Sequence, residues 1–213
     1  MMETKVRAVR SDGARSRRTI LEAAARLATV EGLNGLSIGR LAEHIGMSKS
    51  GLFGHFGSKE ELQLATIDTA TEIFLAEVVE PTLSIREPLE RLDALCELFL
   101  AHVRGEVFPG GCFFAAVAAE FAPHPGAVQD RIKETTAGWL SLFVDLAHDA
   151  QTAGELSPDE DLEQFAFEVD SALLMANLTY VLNQDPTALD RGLKAARRRI
   201  AQARAWKSQP ATA

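Results

Sequence analysis

Within the segment KSGLFGHFGSKEEL, residues 49–62, lie the side chains best suited to meet a polyanion. Lys49, His55 and Lys59 are present or potential cations, and Ser50 offers a hydroxyl that both donates and accepts. Gly51 and Gly54 are costly in a short helix, each by about 1 kcal/mol relative to alanine. Their use is close approach of another surface, and a helix thinned in this way suits a major groove. Lys49 and Ser50 stand at the leading end, where a recognition helix touches base edges. His55 and Lys59 are in reach of phosphates. A further helix opening at Ser58-Lys59 adds backbone N–H donors and a dipole that favours anions. The rest of the chain has little to compete with this. Five histidines, at 44, 55, 102, 124 and 148, show no metal-binding spacing, and neither HExxH, GxSxG nor a phosphate loop occurs. No metal or cofactor is expected. Cys96 and Cys112 match no zinc or CxxC pattern.

The elements that must position these residues are legible from their caps. Ser37 is a suitable N-cap, with Leu36 placed to staple onto Leu41. Ile38, Leu41, Ala42 and Ile45 follow at helical spacing, and Gly46 can close the helix in the left-handed region. Ser48 caps a second short helix whose Leu52 and Phe56 face inward. Two helices of about two turns across a three-residue turn have the grammar of a helix-turn-helix. A plain helical hairpin would need the same caps, and the exposed Lys49, Ser50, Gly51, Phe53, Gly54 and His55 are what favour the DNA-binding reading. Upstream, Ile20, Ala24, Leu27 and Ala28 mark a helix from Arg15 to Gly32, and residues 1–14 are expected to be a flexible basic arm.

Downstream the pattern is helix after helix, and the class is all-α. Expected helices run from Lys59 to about Glu80, where Pro81 stops the run, over 86–105, over Cys112–Phe121 (apolar nearly all round), over 126–152, from Ser157-Pro158 to about Asn183, and from Asp185-Pro186 to before Ser208. The net charge of the 213-residue chain is −8, yet residues 1–60 hold ten Lys/Arg against six Asp/Glu, and the remainder twelve against twenty-four. A basic interaction module on an acidic body is the simplest account. No run is expected to span a membrane, and no signal-peptide pattern opens the chain. A cytoplasmic protein with reduced thiols is therefore expected.

The residues 15–62 resemble the DNA-binding domain of TetR-family transcriptional regulators. The resemblance lies in Ile20-Leu21-Glu22-Ala23-Ala24, Gly32, Ser37, Leu41-Ala42, Gly46-Met47-Ser48-Lys49 and the run Leu52–Leu62. It implies an N-terminal three-helix, helix-turn-helix DNA-binding domain (15–62) and a larger C-terminal helical domain (63–213) for ligand binding and dimerisation. Carried over position by position, Lys49, Ser50 and Gly51 would meet base edges, and Ser37, Arg40, Ser48, His55 and Lys59 phosphates. Phe53 stands where the family usually has Tyr, so it would meet DNA without a hydroxyl, against a sugar or a thymine methyl. Arg7, Arg10, Arg15, Arg17 and Arg18 would extend contacts along the arm.

The same resemblance implies a homodimer on double-stranded DNA, on an inverted repeat, paired through the last two helices, about 160–206. A small-molecule effector of unknown identity would bind in the body. Its candidate lining is Phe99, Val103, Cys112, Phe113, Val117, Phe121, Trp139, Phe143, Phe167, Met175 and Asn177, with His102, Asp170 and Tyr180 as polar groups. For each apolar residue, core packing is the blander reading. The dimer faces are expected to be Phe165, Val169, Ala172, Leu173 and Ala176, together with Leu189, Leu193, Ala196 and Ile200. The function implied is that of a ligand-responsive repressor and not an enzyme. The competing readings are a thiol-redox regulator using Cys96 and Cys112, and a helical enzyme.

Overall fold

The computed structural model describes the backbone over residues 2–204 and side chains over 15–204. Among these residues the regular structure is helical: α1 (Met2–Glu31), α2 (Ile38–Ile45), α3 (Lys49–Phe53), α4 (Lys59–Phe74), α5 (Pro88–Arg104), α6 (Phe113–Phe121), α7 (Ala127–Thr152), α8 (Leu162–Asn183) and α9 (Thr187–Ala203). The chain divides into two compact units. One holds residues 1–74 and 106–134, the other 75–105 and 135–213. The expected 15–62 module lies wholly in the first, joined there by most of α4, by α6 and by the start of α7.

In the first unit, Ile20, Leu21, Ala24, Leu27 and Ala28 of α1 are buried together with Leu41 and Ala42 of α2, Leu52 and Phe56. Leu62, Ile67, Ala70 and Phe74 of α4 are buried as well. Phe113, Phe114 and Phe108 meet at centroid distances of 5.3 and 5.8 Å, and Phe74 packs edge-on to Phe114 at 6.1 Å. The helix placed from Arg15 onward begins instead at Met2, through the residues expected to form the arm. Once a helix is nucleated, each added residue costs only its propensity, and nothing in 2–14 is a proline. The side chains of Arg7 and Arg10 lie outside the described set. Arg17 is no free arm residue: its guanidinium sits 4.9 Å from the centre of the buried Phe56 ring. Arg18 pairs with Glu22 at 2.9 Å and with Glu72 of α4 at 3.7 Å.

The second unit buries Leu89, Leu92, Leu95, Phe99 and Val103 of α5, Phe143 and Leu146 of α7, and Phe165, Val169, Leu173 and Ala176 of α8. Leu189, Ala196 and Ile200 of α9 complete the core. Two boundaries differ from expectation. The helix from Lys59 widens into a π-turn over Leu75–Val79 before Pro81 is reached, then tightens to a 3-10 turn over Glu80–Thr82. Glu77 in the widened turn accepts from buried His102 Nδ1 at 2.7 Å, a contact that the local register permits. α8 starts at Leu162 and not at Ser157. Asp161 supplies the cap, accepting from the Gln164 N–H at 3.0 Å, while the Ser157 N–H is drawn off to the Ala203 carbonyl at 3.0 Å.

α8 also corrects the expectation that no run is fit to span a membrane, since its 22 residues are long and apolar enough by length and composition. Its apolarity has a packing cause: one face is buried, and a second, Phe167, Leu174, Met175, Leu178 and Leu182, is exposed. The faces expected to pair two subunits (Phe165, Val169, Leu173 and Ala176 on α8; Leu189, Ala196 and Ile200 on α9) are interior to the subunit. The small residues expected on that α8 face, Ala172 and Ala176, serve the contact of α8 with α9 in the same chain. At Gly192 of α9 a Cβ would collide with the Ala176 methyl and stand 3.1 Å from the Ala172 carbonyl. Gly192→Ala is therefore expected to destabilise the protein by about 1–3 kcal/mol, read as a lowered midpoint in urea unfolding.

Candidate DNA-binding site

Ser37 closes the start of α2, its hydroxyl accepting from the Arg40 N–H at 3.3 Å, and Gly46 ends the helix at φ 69°. Ser48 accepts from the Gly51 N–H at 3.1 Å and opens α3. α3 is shorter than expected, five residues, and Gly54 and His55 turn away from it. The last α-helical bond is the Gly54 N–H to the Ser50 carbonyl at 3.2 Å; the His55 N–H then goes to Leu52, three residues back at 2.9 Å, which tightens the chain out of the helix. The scaffold beneath is fixed, since Leu41, Leu52 and Phe56 are fully buried. Above it, Ser48, Lys49, Ser50, Gly51 and Phe53 are exposed and His55 is half-buried. Phe53 is 58% exposed, an unusual position for a phenyl ring in water.

The cations assigned to DNA are engaged within the unit. Arg40 grips Glu31 with two hydrogen bonds, Nη2 at 2.6 Å and Nε at 3.1 Å, and approaches Glu43 at 3.4 Å. The hydrogen bond to Glu31 pushes its pKa up, and the side chain is about half exposed. Lys59 donates to the Asn34 carbonyl and, at 3.3 Å, to Asn34 Oδ1. Lys49 lies along α2: a Cβ at Gly39 would be 3.4 Å from its Cε. The start of α4, whose free N–H donors would suit an anion, is partly filled from within. Ser58 accepts from the Glu61 N–H at 3.0 Å, and Glu61 reaches back to the Gly57 N–H at 3.1 Å. That capping pair was legible in Ser58-x-x-Glu61.

The candidate effector residues fall into separate groups. Cys112, Phe113, Val117 and Phe121 belong to the first unit and are buried. In the second unit Phe99 stacks on Trp139 at 5.9 Å and Trp139 meets Phe143 edge-on at 4.6 Å. Val103 and Asn177 are buried there too, whereas Phe167 and Met175 are each 60% exposed. Of the polar candidates, His102 is held by Glu77, and Asp170 accepts from Trp139 Nε1 at 2.8 Å. Arg197 forks onto Asp93 of α5 with two hydrogen bonds, each 2.7 Å. Arg199 pairs with Glu160 and Glu168.

Both cysteines are buried and reduced. Burial, with the nearby Asp93 charge, pushes the Cys96 thiol far up, which leaves little thiolate for redox chemistry.

Burial also raises the Asp170 pKa, and the Trp139 hydrogen bond only partly opposes this. A carboxyl whose folded pKa is raised binds its proton more tightly when folded. Its contribution is then most favourable below the unfolded pKa and falls as pH rises through the folded value. Asp170→Asn keeps an acceptor for Trp139. It is expected to raise Tm at pH 7 by roughly 2–4 °C and to leave Tm near pH 4 almost unchanged, as measured by calorimetry across pH.

Comparison with known proteins agrees with this arrangement. Residues 20–66 match the family described as "Bacterial regulatory proteins, tetR family", and residues 88–196 match "Tetracyclin repressor-like, C-terminal domain". A TetR transcriptional regulator from Chloroflexus aurantiacus has a similar structure, with a TM-score of 0.84, 22% identity, and coverage of 91% of this chain and 98% of that one. AibR, solved with isovaleryl coenzyme A and operator DNA, gives 0.65 at 24% identity over 87% and 96%. A transcriptional regulator from Saccharomonospora viridis, solved with choline, gives 0.74 at 18% over 91% and 100%. At these identities the structures speak to the fold. No curated protein matches the chain.

Proposed function

Because the chain belongs to the TetR family of transcriptional regulators, we propose that it is a cytoplasmic repressor. In this reading it binds an inverted-repeat operator as a homodimer and is released by a small apolar or amphipathic effector. The observation that carries the DNA reading is α3, whose Lys49, Ser50 and Gly51 are exposed on a fully buried, doubly capped scaffold. Lys49, Ser50 and Gly51 take base edges, Phe53 a sugar or thymine methyl, and Ser37, Arg40, Ser48, His55 and Lys59 phosphates. The exposed ion pair of Arg40 is weak enough for a phosphate to replace Glu31.

The homodimer rests on the outer face of α8. Phe167, Leu174, Met175, Leu178 and Leu182 recur at helical spacing and are between 39% and 75% exposed. A second copy offering the same stripe is an isologous partner of matching chemistry. The effector meets one or both of the apolar groups, Phe99–Trp139–Phe143 or Cys112–Phe113–Val117–Phe121. AibR and the choline-bound regulator support a small organic ligand in this fold. Release requires the effector to bind the DNA-competent and the released arrangements with different affinity.

Selection of bound fragments from the source genome at near-physiological salt tests the DNA reading, with Lys49→Ala/His55→Ala as control. The expected result is enrichment of an inverted repeat by the wild type and loss by the variant. Absence of any enriched sequence, in protein shown to be folded, would overturn it. For the dimer, Met175→Glu/Leu178→Glu is expected to yield monomers in analytical ultracentrifugation and to weaken binding to the full repeat at least tenfold, since two linked half-sites bind far better than one. A variant that stays dimeric would remove α8 as the interface.

A further inference from the structure

The turn between α1 and α2 is held from three sides. Glu120, the single acid of α6, accepts the Leu33 N–H on one carboxylate oxygen and the Asn34 N–H on the other, both at 2.8 Å. Gln63 of α4 is buried and donates to the Leu33 carbonyl at 2.8 Å. Lys59 donates to both oxygens of Asn34. Gly32 enters the turn at φ 83°, and a Cβ there would stand 2.9 Å from Glu120 Oε1. The carboxylate is thus seated directly against the backbone, where a side chain at 32 would displace it.

These contacts act in series. A carboxylate that takes two successive N–H groups fixes the orientation of that stretch of chain, and charge-assisted bonds of this kind are among the stronger ones. The fixed stretch presents Asn34 O and Oδ1 to the Lys59 ammonium. An ammonium has three donors, so committing two of them to Asn34 sets the direction of the third. Lys59 is exposed and stands at the first position of α4.

We propose that Glu120 is a positioning residue of the DNA interface: acting through Asn34, it fixes the direction in which Lys59 offers its ammonium to a phosphate. This rests on the DNA-binding reading above. α6 also buries Phe113, Val117 and Phe121, so a displacement of that helix is felt at both amides and passes to Lys59.

The test is a thermodynamic cycle on full-length protein: wild type, Glu120→Ala, Lys59→Ala and the double variant, with Glu120→Gln as the conservative change. Affinity for a mixed-sequence DNA duplex is measured across a salt series, and folding is checked by circular dichroism. Lys59→Ala is expected to flatten the slope of log K against log salt by about 0.9, one phosphate contact, and to weaken binding roughly tenfold. Glu120→Ala should reproduce most of both effects, and the double variant should be no worse than Lys59→Ala alone. Glu120→Gln keeps one acceptor oxygen and should fall between. A purely structural Glu120 would lower Tm and leave the salt slope of the folded protein unchanged, and that result overturns the proposal. Full additivity in the double variant overturns it equally. Either failure with steep salt-dependent binding by the wild type would leave the DNA reading standing. Loss of salt-dependent binding in the wild type itself would remove both.

Discussion

Everything about the exposed surface of the helix-turn-helix depends on one constraint: α2 and α3, at eight and five residues, are too short to be stable helices by themselves. Their backbone order comes from burying Leu41, Ala42, Leu52 and Phe56 in the core of the unit and from serine caps on both. The exposed residues of α3 hold their place because the residues between them cannot move. Lys49, Ser50, Gly51 and Phe53 are set around the single buried Leu52, so a shift of that leucine would displace every outward group together.

This explains why the helix-turn-helix scaffold was legible in the sequence and much of the body was not. Caps, a left-handed glycine and a buried leucine act within a few residues, and Ser37, Gly46, Ser48 and Leu52 each perform the role their spacing implied. The outline of α5 could be read too, from Pro88 at its start and one apolar stripe. α8 defeated the same logic because it has two apolar faces. Periodicity identifies apolar positions without saying which face meets the subunit's own core. Ala172 and Ala176 suit any close contact, and it is Gly192 of α9 that makes it. The start of α8 was misplaced for a related reason. Ser157-Pro158-Asp159 has the composition of a helix opening, but a long-range bond from the Ser157 N–H to Ala203 and the cap at Asp161 decide otherwise.

Long-range polar contacts were the least legible of all. Glu120 reads in the sequence as the one blemish on an apolar helix, and nothing local assigns it to Leu33 and Asn34, 87 and 86 residues away. Arg197 and Arg199 look in sequence like part of a basic patch. In the fold each is matched to carboxylates outside α9, Asp93 and Glu97 of α5 for one, Glu160 of the loop before α8 and Glu168 of α8 for the other. A run of charge reports a surface only after its partners have been subtracted.

The same subtraction refines the charge argument for the first sixty residues. Their surplus of cations is real, yet Arg17 lies over Phe56, Arg18 is paired with Glu22, Arg40 with Glu31, and Lys59 is bonded to Asn34. Counting charges overstates what is unengaged and misses what is gained. An exposed ion pair adds little to stability, so an incoming anion could displace Glu31 from Arg40 at small cost. The pair meanwhile keeps a long side chain from sampling many rotamers, which would lower the ordering entropy lost on binding an anion. Internal pairing and polyanion binding are therefore compatible uses of the same cations, provided the pairs are exposed. That condition separates Arg40 and Lys59, at the open rim of the helix-turn-helix, from Arg199, whose side chain is four-fifths covered and packs over Phe165.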